Sequence, residues 1–510
     1  MNVQLAELNI NLKPMKTTIL SFAIVIFSLS ISCLAQSEYG QFTEAKCPIN
    51  ISEELASSGN FTFGYMTVPE FHKKAGSKTL ELAVAIFKCR AETAKYDPLI
   101  LNSGGPGMSN LEDFVPTFDG PLGNLFLFDR DIVIIELRGL KHSKPTLHTP
   151  ELDELQVKLL SKHLSSEEII NAYKETITTI REKFTDQGIN LSAYNYWETA
   201  SDIAFVMEKL GYEKFAVFGN SAGTIVAEYL LMDHADKLSA LSLNAVVNVP
   251  AGFNKMCKTS IDKIESIFME LEQNETYASA YPDLKKRFLA TLEALNESPD
   301  TITVQLPGED GPTDVVLNGN RITGWFFSQM YWNTQLPQTM QLIASRDYSQ
   351  IIQNPGGFLP LQNFSNGLFW SILLNGWADP TEEELLTGTE YEIFVEGMST
   401  LVFSQPFVMK IRDAWQVNYQ PNNIKPMATN VPTLMLNGGQ DHVCLADYAL
   451  KLSDSFGNSY CYIFEGIAHS PIDAGECAIM MMKQFLDNPQ AAPDASCVEE
   501  YRNKQKYILP

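Results

Sequence analysis

The chain has 510 residues, 45% of them hydrophobic, and a formal net charge of −24. That length and apolar content can bury a large core, as one big domain with an insertion or as two domains. The acidic balance argues against nucleic acid and anionic membrane surfaces as partners.

The amino terminus reads as a targeting segment. Lys16 precedes an apolar run from Ile19 to Leu29, too short to span a bilayer comfortably, and Cys33-Leu34-Ala35 forms a small-residue site. The expectation is a secretory signal over residues 1–35, cleaved after Ala35, with translation starting at Met15. Lipidation at Cys33 is the alternative.

Next, Phe61 to Val68 and Lys78 to Phe87 alternate apolar and polar residues around a turn-prone stretch, His72 to Gly76, and predict an antiparallel hairpin at a sheet edge. Pro98 to Leu101 predicts a short strand, followed by the loop Asn102-Ser103-Gly104-Gly105-Pro106-Gly107. Asp131 to Leu137 is a β-branched run expected as a strand buried on both faces. Leu152 to Phe184 is polar and helical in pattern, and Glu198 to Leu210 is an amphipathic helix.

Lys214 to Tyr229 then runs from an apolar strand through Gly219-Asn220-Ser221-Ala222-Gly223 into a helix. A serine in so tight a strand-to-helix turn needs neighbours two residues away with no side chain to clash, and the helix start favours developing negative charge. Ser221 is therefore the candidate nucleophile. Acyl transfer also needs two donors aimed at the oxyanion. Ala222, after the serine, and Gly105 in the earlier loop are the candidates, since Pro106 has no N–H.

Leu238 to Val247 predicts the next parallel strand. From 251 to 428 the pattern turns mostly helical, with aromatic groups at Trp325-Phe326-Phe327, Tyr331-Trp332, Phe369-Trp370 and Trp377, and is expected as a helical cap. Strands resume at Val431 to Asn437, followed by Asp441, and at Ser459 to Phe464, followed by His469. Seven histidines occur in the chain, and His469 follows a late strand; His442, beside the acid, is the decoy. The order Ser221, Asp441, His469 suits an α/β architecture with a mostly parallel sheet flanked by helices. The core then comprises 36–250 and 429–510, with the cap at 251–428 between them.

Eight cysteines, less Cys33 in the leader, leave an odd seven. Cys47 with Cys89 and Cys477 with Cys497 are the preferred pairs, Cys444 with Cys461 a further option, and Cys257 the free thiol; sequence alone does not fix the connectivity. Clustered Cys/His ligand spacing is lacking, so neither a zinc site nor any other cofactor is expected.

With these motifs in place the chain resembles the α/β-hydrolase superfamily, and within it the secreted branch containing prolyl iminopeptidases and tripeptidyl aminopeptidases. The resemblance rests on Gly64 to Pro69, the Gly-Gly-Pro-Gly loop, Glu136-Leu137-Arg138-Gly139 with Ser143, Thr199 to Asp202, Tyr281 to Leu284, and Val431 to Leu434. The segment with His469, Cys477 and Cys497 also looks like that branch's C-terminal module. It implies a cofactor-independent serine aminopeptidase acting on short peptides, with an esterase of small acyl esters as the alternative. An acid reading the free amine would come from the cap, where Glu265, Glu270, Glu272, Glu309 and Asp310 are candidates without a choice among them. The family pattern has His where Ser103 stands, Asp for Glu136 and an aromatic residue for Ala222, and it carries cap cysteines that are missing around Glu270 to Tyr281 and near Leu374. The catalytic pattern is kept and the specificity region differs.

Overall fold

The computed structural model describes residues 39–247, 255–307, 311–376, 386, 388–418, 428–502 and 507–509. The expected leader with Met15 and Cys33, the boundary at Pro250, the acids Glu309 and Asp310, and Trp377 lie outside the described residues.

The strands in chain order are β1 (Phe42–Glu44), β2 (Phe61–Pro69), β3 (Thr79–Phe87), β4 (Leu99–Asn102), β5 (Ile132–Ile135), β6 (Phe215–Asn220) and β7 (Leu238–Asn244), then β8 (Asp300–Gln305), β9 (Pro312–Leu317), β10 (Thr433–Gly438) and β11 (Ser459–Phe464). Nine of them form one sheet in the order β1-β2-β3-β5-β4-β6-β7-β10-β11. The pairings from β5 through β11 are parallel, and β1, β2 and β3 join antiparallel. The expected β2–β3 hairpin is present, but β1 pairs outside it and forms the true edge.

The parallel strands are apolar on both sides, and their two-residue period sends alternate side chains to opposite faces. Ile132 and Ile134 of β5 join Leu99 and Leu101 of β4 and Phe218 of β6 on one face. There they pack on helices α1 (Asn110–Phe118) and α5 (Glu476–Asp487) through Val115, Phe118, Met481 and Phe485. Val133, Ile135, Ile100 and Val217 point the other way. That face meets α2 (Tyr196–Lys209) and α3 (Ala222–His234) through Ile203, Val206, Ile225 and Leu230. Each such side chain, fully withdrawn from water, contributes on the order of 1.5–3 kcal/mol.

Between β7 and β10 the chain is mainly helical, including α4 (Gly319–Gln329), but it also holds the antiparallel pair β8–β9. Thr301-Ile302-Thr303-Val304 and Asp314-Val315 alternate exposed and buried positions, a strand period that the helical expectation passed over. Trp325, Phe326, Phe327, Phe369 and Trp370 are core residues, whereas Trp332 is 66% exposed.

Cys477 and Cys497 are disulfide-bonded. The expected Cys47–Cys89 bond is not formed, and both are free thiols. Cys89 Sγ donates to the carbonyl of Ala91 and its N–H to Asp131 Oδ1, ahead of β5, while Cys47 packs against the apolar cluster on the α1 face of the sheet. Nor are Cys444 and Cys461 joined: Cys461 sits on β11, and Cys444 lies in a buried loop elsewhere. Cys257 is buried and unpaired, as expected.

Candidate active site

Ser221 occupies the junction of β6 and α3 with φ 52° and ψ −119°, a left-handed conformation that costs a non-glycine residue about 1–3 kcal/mol. The flanking glycines make the turn sterically feasible. A Cβ on Gly219 would lie 2.6 Å from the Gly223 carbonyl oxygen, and one on Gly223 would lie 2.4 Å from that of Asn102. No side chain fits at either place, so Gly219 and Gly223 let the helix start, the elbow and the end of β4 close on one another. The Ser221 N–H donates to the Asn244 carbonyl at 2.8 Å, which pins the elbow to the end of β7.

The glycine-rich loop after β4 lies against the serine. A Cβ on Gly104 would stand 3.1 Å from Ser221 Cβ, and Gly105 follows with φ 32°. The Ser103 N–H donates to Asn110 Oδ1 at 2.9 Å, Asn110 Nδ2 donates to the Ile135 carbonyl at 2.7 Å, and the Ser103 hydroxyl donates to Asp113. The first turns of α1 thus brace the loop through a serine in the position where the family pattern has histidine.

Asp441 follows β10 and is buried. Its Oδ1 accepts the N–H groups of Val443 and Cys444, each at 2.9 Å, and its Oδ2 lies 2.7 Å from His469 Nδ1. Burial disfavours charge on the imidazole, yet the adjacent Asp441 carboxylate, together with Cys444, outweighs it and holds the His469 pKa well above the ordinary histidine value. The His469 N–H donates to the Tyr331 carbonyl at 3.0 Å, and Tyr331 meets the imidazole edge-to-face at 5.2 Å. Trp332 stands 6.2 Å from that ring, marking the solvent side.

The structure therefore gathers Ser221, Asp441 and His469 with Ala222 and the Gly105 loop around one point beyond the carboxyl ends of the strands. His442 is set aside from this group. It is fully buried between Phe327 and Tyr331, neither ring nitrogen has a hydrogen-bond partner, and burial pushes its pKa down to about 3. Sequence reasoning passed over Cys444. Its Sγ lies 3.8 Å from Ser221 Oγ, its donor atom is within 4.8 Å of those of Asp441 and His469, and burial raises its pKa. Ser221 Oγ makes no hydrogen bond to His469 in this arrangement.

Two asparagines at strand ends were also missed. Asn244 Nδ2 donates to Asn220 Oδ1 at 2.6 Å and to Ser470 Oγ at 3.0 Å, tying the elbow to the histidine loop. Asn437 accepts the Val246 N–H and donates to the Cys444 carbonyl, each at 2.8 Å, tying the acid loop to β7. A signal was present in the sequence, because β4, β6, β7 and β10 carry Asn102, Asn220, Asn244 and Asn437 at their carboxyl ends. A separate groove of about 580 Å³, lined by residues such as Tyr96, Asp131 and Tyr212, opens at the amino ends of β4, β5 and β6, on the opposite edge of the sheet from Ser221.

The chain belongs to the alpha/beta hydrolase fold family, whose model matches residues 97–475. Similar solved structures include proline iminopeptidase from Mycobacterium smegmatis, at 13% identity and a TM-score of 0.38 over 84% of this chain and 98% of that one. A thermophilic esterase from Thermogutta terrifontis matches at 12% identity and a TM-score of 0.35, over 84% and 99% of the two chains. Juvenile hormone epoxide hydrolase from the silkworm Bombyx mori matches at 12% identity and a TM-score of 0.32, over 87% and 80%. No curated protein sequence matches the chain. Among the described residues no helix is long and apolar enough to cross a membrane.

Proposed function

We propose that the protein is a serine hydrolase that works through Ser221, His469 and Asp441, and that it is a secreted aminopeptidase releasing residues from the amino ends of short peptides. The observation that carries the hydrolytic reading is the 2.7 Å contact between Asp441 Oδ2 and His469 Nδ1 beside a strained serine elbow. In this reading the Ser221 hydroxyl turns from Cys444 toward His469, gives up its proton to the imidazole and attacks the substrate carbonyl. Asp441 orients the ring and stabilises the imidazolium. The N–H groups of Gly105 and Ala222 hold the oxyanion, each lowering the barrier by about 3 kcal/mol. His469 then protonates the leaving amine, and water releases the acyl group.

The peptidase assignment is supported by the motif resemblance of the Gly-Gly-Pro-Gly loop and of Glu136-Leu137-Arg138-Gly139, and by the mainly helical segment between β7 and β10. Of the candidate amine-binding acids, Glu265 and Glu272 are exposed, and Glu270 accepts from the Tyr507 hydroxyl at 3.3 Å. The leader and the Cys477–Cys497 disulfide both favour an oxidising compartment.

The experiment compares free-amine aminoacyl and tripeptidyl anilides with their N-acetylated forms and a small p-nitrophenyl ester, using Ser221→Ala as the blank. Turnover confined to free-amine anilides is expected. Cleavage of the ester with no anilide turnover would replace the aminopeptidase by an esterase.

A further inference from the structure

The active centre contains one strong ligand that hydrolysis does not use. The donor atoms of Asp441, Cys444 and His469 lie within 4.8 Å of one another, all three residues are buried, and Ser221 Oγ is 3.8 Å from the sulfur. Asp441 has both carboxylate oxygens occupied, one by two backbone N–H groups and the other by His469 Nδ1. With Nδ1 so committed, the ring offers Nε2 as its ligand atom. A histidine that ligates through one nitrogen while a carboxylate holds the other is the usual outer-shell arrangement of zinc sites.

We propose that Cys444 and His469, with Ser221 Oγ as a third donor and water as a fourth, form an inhibitory site for a thiophilic divalent cation of the zinc class. The proposal rests on the serine-centre reading for its inhibitory consequence, not for the binding itself. Tetrahedral zinc with Zn–S of about 2.3 Å and Zn–N of about 2.0–2.1 Å sets the sulfur and nitrogen about 3.5 Å apart. On binding, the Cys444 thiol loses its proton to solvent, the sulfur forms the bond to the metal, and the imidazole lone pair that would accept the Ser221 proton becomes a ligand. No redox step is involved. Such occupancy removes the base and covers the nucleophile together, and the absence of a Cys-x-x-Cys spacing conceals the site because its donors come from three separate segments, at 221, 444 and 469.

Two readouts test this on the full chain freed of metal by chelation. Cobalt titration is expected to give a sulfur-to-metal charge-transfer band in the wild type and in Ser221→Ala, to lose it in Cys444→Ser, and to need about 10–100-fold more cobalt in Asp441→Asn. Buffered zinc is expected to suppress fluorophosphonate labelling of the wild type and to leave that of Cys444→Ser, measured against its own metal-free rate, unaffected. Absence of the band in the wild type, its persistence in Cys444→Ser, or equal zinc suppression of both proteins would overturn the proposal. If the metal-free wild type does not label at all, the serine-centre reading fails instead, while the cobalt band still decides the metal site. Should Cys444→Ser fail to fold, the wild-type band and its shift in Asp441→Asn decide alone.

Discussion

His469 Nδ1 and Asp441 Oδ2 stand 2.7 Å apart in a buried loop pair, and this contact sets the charge state of the proposed base. The imidazole pKa is raised, so the neutral form that accepts the serine proton dominates only above the ordinary value of 6.5. As pH falls through the raised pKa, the fluorophosphonate labelling rate should drop about tenfold per pH unit. The acid limb should therefore lie above pH 6.5, higher than an unperturbed histidine would place it. Asp441→Asn should bring the limb down and slow the reaction by about 10⁴. A wild-type limb at or below the ordinary value would contradict the assigned pairing.

The glycine at 223 supplies a steric test of the elbow. Gly223→Ala would force a methyl to within 2.4 Å of the Asn102 backbone oxygen, displacing the glycine-rich loop or the helix start. A shift on the order of 1 Å at the reacting groups lowers the labelling rate about 10²-fold. Gly356→Ala, where an added Cβ meets nothing within 4 Å, should leave the rate unaltered. Equal rates in the two variants would show that the elbow tolerates the displacement.

Arg138 and Asp202 form a two-pronged buried ion pair, with Nε–Oδ2 and Nη2–Oδ1 both at 2.7 Å. Arg138 Nη1 also donates to the carbonyls of Glu70 and Ala193, and His72 Nε2 lies 2.8 Å from Asp202 Oδ1. Asp202→Ala leaves the guanidinium buried without its counter-charge and should cost about 3–5 kcal/mol in urea unfolding. A loss below about 1 kcal/mol would mean that the carbonyl acceptors alone satisfy the arginine.

Glu136 gives the stability a pH dependence of its own. Complete burial pushes its carboxyl up to about 7 from 4.5, against the opposing hydrogen bonds from the Ser109 hydroxyl and the N–H groups of Leu111 and His142. The folded state holds the proton more tightly than the unfolded chain, so this contribution is complete below about pH 4.5 and is lost as pH rises through about 7. Its size is on the order of 3 kcal/mol. Glu136→Gln should flatten the urea midpoint across that window relative to wild type, and parallel profiles for the two proteins would refute the assignment.

The parts of the site legible in the sequence were those whose chemistry imposes a local pattern. The elbow demanded glycine on both sides of Ser221, and the additional Cβ contacts at Gly219 and Gly223 show why. Asp441 and His469 could be placed because each follows an apolar strand whose register fixes its end. Cys444, Asn244 and Tyr331 were not legible, since their contacts arise from loops that meet only in three dimensions. The Cys47–Cys89 expectation failed for a related reason: spacing carries no information about which way a thiol points, and Cys89 is hydrogen-bonded to the Ala91 carbonyl whereas Cys47 packs against the apolar cluster beside α1. The β8–β9 pair was missed although its alternation was plain, because the surrounding helical pattern dominated the reading.

The bond from the His469 N–H to the Tyr331 carbonyl joins the histidine loop to the residue two positions beyond α4, in the helical segment between β7 and β10. Any displacement of that segment wide enough to break this bond also releases the backbone of the proposed base. The alignment of the proposed proton acceptor is thus anchored from outside the sheet, by a residue of the segment that the chain inserts between the neighbouring parallel strands β7 and β10.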